Sequence, residues 1–284
     1  MDLYLSTGES RLKRRSLATL KYAFLVFLVI LNLVPFAWTL LSSIKDTNEI
    51  LANSLALPHG VVKWSNYPMA WIGGHLAHTF FNSVMVAGTA VIIILLFSSM
   101  AAYIVARVKP SLLLYSFFTM GIMVPVHALL VPLFVETNFL HLTNSRLSLI
   151  VIYVAVNFSL CFFILYGFLK TIPNELEEAA TIDGASRSRT FFRIILPIAK
   201  PGLATVGIFA LITCWNEYLI PLVMVTDYAK FMLSQGVALL NAQNNVDYGL
   251  LCAGVSISAA PVVVLYILFQ EQVIKGMTAG ALKG

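Results

Sequence analysis

The chain alternates long apolar stretches with short polar segments, and this pattern predicts its architecture. Six stretches are each long enough to cross the hydrocarbon core of a bilayer, which takes roughly 20 apolar residues in a helix. They are Tyr22–Leu41, Phe80–Ala106, Ser111–Val135, Leu147–Leu169, Pro201–Thr226 and Tyr248–Gln270. Only one of them contains an acidic or basic residue, Glu217. Because backbone polar groups in lipid must be paired within the segment, the pattern predicts an all-α integral membrane protein with six transmembrane helices.

Prolines interrupt several of these stretches. They lie at Pro35, Pro125, Pro132, Pro221 and Pro261. Each removes one backbone donor and tends to kink its helix. Such kinks are typical of bundles that change shape, and a purely geometric packing role fits any single one equally well.

The composition agrees with a membrane protein. Of 284 residues, 59% are hydrophobic and 11% are charged, whereas a soluble domain has roughly 25% charged residues. The net charge of +5 would suit a nucleic-acid binder, but its distribution argues otherwise. With the amino terminus inside, the inner segments hold 14 of the 18 Lys and Arg residues and the outer segments hold 4. The positive-inside rule therefore predicts that both termini are cytoplasmic.

The polar segments divide the chain into parts around one integral domain. Residues 1–20 form a cytoplasmic basic tail, and residues 21–79 contain the first transmembrane helix and a long outer loop. Residues 80–275 form the core membrane domain, with a cytoplasmic loop at 170–200. Residues 276–284 are a second cytoplasmic tail.

The inner loop predicts a short helix that carries its own start and stop signals. Asn174 and Glu177 have the spacing of a capping box, and acidic residues in the first turn suit the positive end of the helix dipole. Gly184 can adopt the left-handed conformation that ends a helix. Helical spacing then puts four residues on one face: Leu176, Ala179, Ala180 and Asp183. Such a face suits packing in the groove of another protein.

A helix resting on the membrane surface is the alternative for this segment. Its acidic side chains oppose that placement, because the inner leaflet is anionic. A second short helix with Arg187, Arg189 and Arg193 is predicted to follow, ended by Pro197 and Pro201.

The inner loop also contains a recognisable motif. Glu178-Ala179-Ala180, then Gly184, then Ile194-x-Leu196-Pro197 resembles the EAA signature of ABC-importer permeases, with every fixed position at the expected spacing. Further matches resemble the carbohydrate-importer branch and, within it, the MalG-like subunit: Asn66-Tyr67, Asn82-Ser83, Ala101-Ala102-Tyr103 with Ala106-Arg107, Trp215-Asn216-Glu217-Tyr218 with Pro221, and the segment from Gly276 to Gly284.

This resemblance implies a type I ABC-importer permease fold and a division of labour among several chains. The inner loop would be a coupling helix that fits a cleft on an ATPase, with six ATPase-coupling residues: Glu178, Ala179, Ala180, Asp183, Gly184 and Pro197. The implied partners are a second, MalF-like permease chain, two ATPase subunits that hold ATP and Mg, and an external solute-binding protein. This chain would bind no cofactor itself. It would be a multi-pass protein of the bacterial cytoplasmic (inner) membrane.

No motif in the chain indicates catalysis. A phosphate-binding loop of the form Gly-x-x-x-x-Gly-Lys-Ser/Thr is absent from the sequence, so we expect no ATP hydrolysis by this chain. The sequence also lacks His-Glu-x-x-His and Gly-x-Ser-x-Gly. The energy for transport is therefore expected from a partner.

The solute pathway is predicted around Glu217, because an intramembrane charge usually faces the bundle interior. Aromatic and amide neighbours suit the faces and hydroxyls of a sugar, which gives five candidates: Trp215, Asn216, Glu217, Tyr218 and Asn157. The alternative is that this cluster only ties helices together by hydrogen bonds. Asn157, Asn82 and His127 are weaker candidates, since lone polar residues in a bundle often bond between helices.

The outer loop Asp227–Asp247 is rich in amides and would face the binding protein, although a merely solvated loop explains its composition equally well. The expected solute is a sugar or oligosaccharide. A polyol or a glycerol-phosphate-type solute is the alternative for the same machinery. A self-sufficient channel or ion-coupled transporter is the rival class, and it predicts ionisable residues in several spans.

Overall fold

The computed structural model describes residues 3–241 and 246–281, and the side chains of residues 17–241 and 246–271. Within these ranges every regular element is a helix and no strand occurs. The α-helices are α1 Leu3–Ser42, α2 Thr47–Ala52, α3 Asn66–Pro68, α4 Leu76–Tyr103, α5 Leu112–Met120, α6 Leu130–Phe139, α7 Arg146–Leu169, α8 Glu175–Ile182, α9 Arg187–Thr190, α10 Leu196–Ile198, α11 Lys200–Asn216, α12 Leu219–Met224, α13 Leu233–Leu240 and α14 Tyr248–Ala281.

Shorter irregular helices connect several of these elements. Three are π-helical turns: Met69–Gly73, Ile104–Val108 and Phe191–Ile195. Three are 3₁₀ turns: Gly121–Met123, Val126–Leu129 and Tyr228–Lys230.

Four straight segments are long and apolar enough to cross a bilayer: Leu17–Ser42, Leu76–Val108, Arg146–Leu169 and Tyr248–Glu271. Two bent helix pairs have the same character. The first joins Leu112–Met123 to Val126–Phe139 at 85°, and the second joins Arg187–Ile198 to Lys200–Asn216 at 76°. The described residues thus contain four candidate spans, or six if each bent pair is one span.

The predicted span Ser111–Val135 is not one kinked helix, and that expectation was wrong. The chain turns sharply after Met123, where Val124 is extended with φ −87° and ψ 117°. Pro125 explains the break, because its ring disfavours helical geometry in the preceding residue and its nitrogen has no proton to donate. Pro132 lies in the first turn of α6 and is accommodated there.

The predicted span Pro201–Thr226 is also broken, so Glu217 does not lie inside a continuous helix. Helix α11 ends at Asn216, and Glu217 is extended with φ −67° and ψ 128°. The ring of Pro221 would meet the carbonyl of the residue four positions earlier in a helix, which is Glu217. Proline also has no N–H to donate to that carbonyl. The Glu217 carbonyl therefore has no partner within the helix and accepts a hydrogen bond from Ser234 Oγ at 2.9 Å.

The core lies between α4, α7 and α11. Val86, Ala90 and Ile94 of α4 belong to one buried cluster with Leu149 of α7 and Val206 of α11. Aromatic contacts add α5 to this cluster, since the rings of Tyr115 and Tyr166 lie 4.6 Å apart, centroid to centroid. In lipid, such helices associate through close packing, because the lipid tails are as apolar as the side chains.

Helix α1 lies at the edge of this bundle and packs along α14. Its apolar side chains are largely exposed in this single chain, for example Phe24 at 59% and Phe36 at 62%. The basic residues of the amino-terminal segment are continuous with α1, which begins at Leu3.

Candidate functional site

Helix α8 of the inner loop ends as the sequence predicts. Gly184 has φ +76°, in the left-handed region. The Gly184 N–H donates to the Thr181 carbonyl at 3.0 Å, and the Ala185 N–H donates to the Ala180 carbonyl at 2.9 Å. These two bonds form a Schellman motif, which satisfies carbonyls that the helix end leaves free. The helix has 8 residues, Glu175–Ile182.

The start of α8 differs from the prediction. The expected capping box of Asn174 and Glu177 is wrong, because Asn174 makes no side-chain bond to the helix backbone. Its Oδ1 accepts a hydrogen bond from the Arg107 guanidinium instead. Glu177 also turns toward the bundle, where Tyr103 Oη donates to Glu177 Oε2 at 3.2 Å. Both side chains therefore attach the helix to the rest of the molecule.

The four residues predicted to share one face of α8 are divided by the fold. Ala180 is 3% exposed and packs against the bundle, whereas Leu176, Ala179 and Asp183 are exposed. Ile182 is 85% exposed beside them. The small-residue face thus seats the helix at Ala180 and offers the remaining positions to the outside.

A groove of about 440 Å³ runs along α8 and is lined by Glu177, Glu178, Ile182 and Arg187 among others. Pro197 is exposed in the short helix α10 and is not part of this lining. It lies just before the bend at Ala199, where the chain turns into α11. Five of the six predicted coupling residues therefore cluster on or beside α8, and Pro197 lies at the following bend.

A second candidate site is a cleft of about 350 Å³ between the two broken helices. Asn157, Asn216 and Glu217 line it together with His127 and Tyr153. His127 comes from the segment after the first break, and Glu217 lies at the second. Breaks in membrane helices commonly mark solute sites, because unwound backbone is tolerated where it lines a cavity.

Trp215 and Tyr218 do not line this cleft, so the predicted cluster is split. Trp215 is 7% exposed in a separate apolar cluster, where its Nε1 donates to the Ser258 carbonyl at 3.0 Å. Its ring meets Phe80 edge-on at 5.5 Å. Tyr218 is 36% exposed beside the break. Neighbours in sequence diverge here because α11 ends between them.

The carboxylate of Glu217 contacts two different surroundings. Its Oε1 accepts hydrogen bonds from the backbone N–H of Leu219 at 2.9 Å and of Ile220 at 3.1 Å. Its Oε2 lies 3.8 Å from His127 Nε2 across the cleft. One oxygen thus starts helix α12, and the other is available in the cleft.

Asn157 bonds between helices as well as lining the cleft. Its Oδ1 accepts from Thr213 Oγ1 at 2.7 Å, and its Nδ2 donates to the Tyr153 carbonyl at 2.9 Å. The Tyr153 hydroxyl is buried and has no hydrogen-bond partner among the described residues. Asn82 also bonds across the fold, since its Nδ2 donates to the Phe231 carbonyl at 2.9 Å.

Larger cavities occur elsewhere but have less suitable chemistry. One of about 640 Å³ is almost wholly apolar and open, between Tyr67, Trp71 and the Pro261 region. Another of about 650 Å³ lies under the outer loop near His75 and His78. No group of three or more metal-type ligands occurs in the described part of the chain. We therefore regard the smaller cleft, with its acid, imidazole and amides, as the candidate solute site.

Comparison with known proteins identifies the family. The family model for the binding-protein-dependent transport system inner membrane component matches residues 94–275. The chain belongs to this family. It is therefore a permease of an ABC importer, a multi-pass transport subunit of the cytoplasmic membrane that is not itself an enzyme. A permease of this kind works with an ATPase and a solute-binding protein.

Several relatives match the permease over almost its whole length. The diacetylchitobiose uptake system permease protein NgcG of Streptomyces coelicolor is 36% identical over 95% of this chain and 90% of its own. The trehalose/maltose transport system permease protein MalG of Thermococcus litoralis is 31% identical, over 91% and 94%. Among solved structures, a bacterial ABC transporter for the acidic polysaccharide alginate matches with TM-score 0.78 and 19% identity, over 90% and 96%.

The outer loop of the permease is less open than its composition suggested. Gln235 is 3% exposed, and its side chain accepts from the Met232 N–H and donates to the carbonyls of Pro221 and Val225. It is therefore not available to a binding protein. Asn241 is exposed, and Gln243, Asn244 and Asn245 lie outside the described residues.

Sequence reasoning missed two contributors to these sites. His127 was ranked as a weak candidate, yet it faces Glu217. Arg107 appears in the sequence analysis only as part of a family match, yet it contacts Asn174, directly before α8. Its only signal in the sequence was a basic residue directly after an apolar span, a position that topology alone explains.

Proposed function

We propose that this permease imports a sugar or oligosaccharide and that helix α8 transmits the action of a separate ATPase. The observation that carries the proposal is the exposed ridge of α8, which is formed by Leu176, Ala179 and Ile182. A Schellman motif fixes one end of this helix, and bonds to the bundle fix the other. A short, firmly seated helix with an exposed apolar ridge fits a groove on another protein.

The predicted coupling residues take distinct parts in this proposal. Glu178, Ala179 and Asp183 are exposed and would touch the ATPase. Ala180 is buried and would seat the helix. Gly184 would end the helix, because its left-handed backbone favours a residue without a Cβ. Pro197, at the following bend, would set the direction of the chain toward α11.

The proposed topology has six crossings and both termini in the cytoplasm. The first bent pair forms the third crossing, and only the second arm of the second pair, Lys200–Asn216, belongs to the fifth. Arg187, Arg189 and Arg193 keep α9 and the turn after it out of the hydrocarbon, because buried arginine is costly there. We therefore propose that the fifth crossing is α11 continued by α12. We propose the same division of the chain into 1–20, 21–79, 80–275 and 276–284. The family match at 94–275 supports the third of these parts.

The proposed assembly contains a second, MalF-like permease, two ATPase subunits that hold ATP and Mg, and one external binding protein. Apolar side chains of α1 and α5 are exposed in this single chain, for example Leu112 at 81% and Phe117 at 68%. Lipid and the second permease would cover them. Asn241, which is exposed, would face the binding protein.

The proposed solute contacts are Asn157, Asn216 and Glu217, joined by His127. Trp215 is withdrawn from the set because its ring packs elsewhere, and Tyr218 is withdrawn because it does not line the cleft. Among the described residues, Glu217 is the only acidic residue that lines the cleft, and no Lys or Arg lines it. A cleft without a lysine or arginine disfavours a glycerol-phosphate-type anion and suits a neutral solute. The names of the relatives, which include diacetylchitobiose and starch degradation products, support a carbohydrate.

A substitution at Gly184 tests the docking of α8. We expect Gly184→Asp to detach or uncouple the ATPase while the chain stays in the membrane, because a charged side chain is placed at the end of α8. Co-purification of the ATPase and ATP-driven uptake are the measurements. Gly60→Asp in the outer loop is the matched control, since a Cβ there also meets nothing within 4 Å.

Unchanged ATPase association and uptake in Gly184→Asp would remove the docking assignment. The rival class is tested separately by reconstitution of this chain alone in vesicles. We expect no solute flux without the partner chains and ATP. Flux through the isolated chain would instead support a channel or an ion-coupled transporter.

A further inference from the structure

The side chain of Arg107 joins three elements at the cytoplasmic end of the bundle. It lies in the π-helical turn Ile104–Val108 that continues α4. Its Nη2 donates to the carbonyl of Leu169, the last residue of α7, at 2.5 Å, and also to the carbonyl of Ile172. Its Nη1 donates to Asn174 Oδ1, directly before α8.

The same guanidinium reaches into the first turn of α8. Arg107 Nε lies 3.6 Å from Glu177 Oε1, and the two side chains are 8% and 21% exposed. Tyr103, one turn earlier in α4, donates to the other oxygen of Glu177. The Glu177 carboxylate is thus held between Tyr103 at the end of α4 and Arg107 in the π-helical turn that follows, and one charged group of each sign is largely withdrawn from water.

The coupling segment runs from Asn174, before α8, to the π-helical turn after α9, and its far end also contacts the end of α4. The ring of Tyr103 packs against Phe191 with centroids 5.0 Å apart. Phe191 begins the second π-helical turn, Phe191–Ile195, which follows α9. Both ends of the segment are therefore attached to the last turns of α4, and both attachments are made at π-helical turns, which often occur at functional positions.

We propose that Arg107 is the positioning residue through which movement of α8 is passed to α4 and α7. The proposal rests on the docking of α8 to an ATPase, proposed above. The planar guanidinium with five donors suits this position, because it satisfies carbonyls at the end of α7 and acceptors of α8 at once. A lysine would offer a point charge and could not reproduce that set. Asn174 and Glu177 are the receiving groups on α8.

A role in topology or lipid binding does not account for this arrangement. The donors of Arg107 are directed into the protein, and its side chain is almost buried. Lys109, directly after this π-helical turn, is exposed and is placed to serve those purposes. Variants of Arg107 and Lys109 can therefore distinguish a mechanical role of a basic side chain from a purely electrostatic role.

The test compares Arg107→Ala, Arg107→Lys and Lys109→Ala in the complete transporter with its ATPase and binding protein, in vesicles. The readout is the number of solute molecules imported per ATP hydrolysed. We expect Lys109→Ala to match the wild type. We expect Arg107→Ala to keep the ATPase bound, because the exposed ridge is unchanged, and to lower the ratio about tenfold, within the usual range of coupling between sites. Arg107→Lys should be intermediate.

A cross-link keeps the test decisive if Arg107→Ala does not assemble. In Arg107→Cys with Asn174→Cys, a short bis-maleimide should restore the import ratio relative to the same protein without reagent. Each of three results would overturn the proposal. The first is a wild-type ratio in Arg107→Ala, and the second is a wild-type ratio in Arg107→Lys when Arg107→Ala fails to assemble. The third is a ratio that the cross-link does not restore. If Gly184→Asp is defective while Arg107→Ala is normal, only this inference fails. If Gly184→Asp is normal, the docking proposal itself fails.

Discussion

At the scale of single residues, the Glu217 carboxylate combines a structural and a chemical task. Its Oε1 caps the first turn of α12 through two backbone N–H groups. Its Oε2 faces His127 in the cleft. A deletion of the side chain removes both tasks, whereas a change to glutamine keeps an acceptor oxygen for the cap and removes the charge.

This division predicts different results for two substitutions at Glu217. We expect Glu217→Ala to lower stability by about 1 kcal/mol, the usual loss for a helix cap, and Glu217→Gln to leave stability near wild type. Both should reduce uptake if the cleft is the solute pathway. The thermal midpoint of the purified complex and the initial uptake rate are the two measurements. Full uptake in both variants would exclude Glu217 from the pathway.

At the scale of elements, the broken helices depend on prolines and on close approaches of backbone. Pro125 and Pro221 end the helices that precede them. The chain around the first break then approaches α7 so closely that a Cβ on Gly121 would lie 2.2 Å from Ser159 Oγ. The position of α5 against α7 therefore depends on a glycine that has no side chain at this contact.

We expect Gly121→Ala to lower the thermal midpoint of the complex, because overpacking a tight contact costs roughly 1–3 kcal/mol. The double variant Gly121→Ala with Ser159→Ala should recover much of the loss, since the colliding oxygen is gone. Gly167→Ala in α7 is the control, because a Cβ there meets nothing within 4 Å. Equal effects at the two glycines would show that the Gly121 contact has no special weight.

At the scale of the whole molecule, charge and hydrophobicity define two ends. The segments that we propose to be inner contain most of the basic residues, and α8 with its anchoring residues lies in one of them. The opposite end carries the outer loops, where Asp46 and Lys63 form an ion pair. The hydrogen bond from the Lys63 ammonium lowers the pKa of Asp46. This exposed pair adds little stability, and orientation in the membrane is decided by the larger asymmetry.

The proposed orientation predicts opposite labelling of two exposed positions. Val61→Cys, 90% exposed in the first outer loop, should react with an impermeant maleimide only from the outside. Ile182→Cys, 85% exposed on α8, should react only from the cytoplasmic side. The three native cysteines are buried and add little background. Reaction of both positions from the same side would contradict the topology.

The predictable part of the site was the part encoded locally. The helix end at Gly184 followed from residue type and spacing, and the structure has it as expected. The capping box failed because Asn174 and Glu177 bond to Arg107 and Tyr103, which are about 70 residues earlier in the chain. A local rule has no information about such distant partners.

The membrane class, the all-helical fold and the family follow from the sequence alone, because hydrophobic length, charge balance and motif spacing act along the chain. The folded arrangement was needed to see that Trp215 lies outside the Glu217 cleft, that His127 lines it, and that Arg107 holds α8. These outcomes depend on where two helices break and which faces then meet. A side chain keeps its neighbours in sequence only as long as its helix continues.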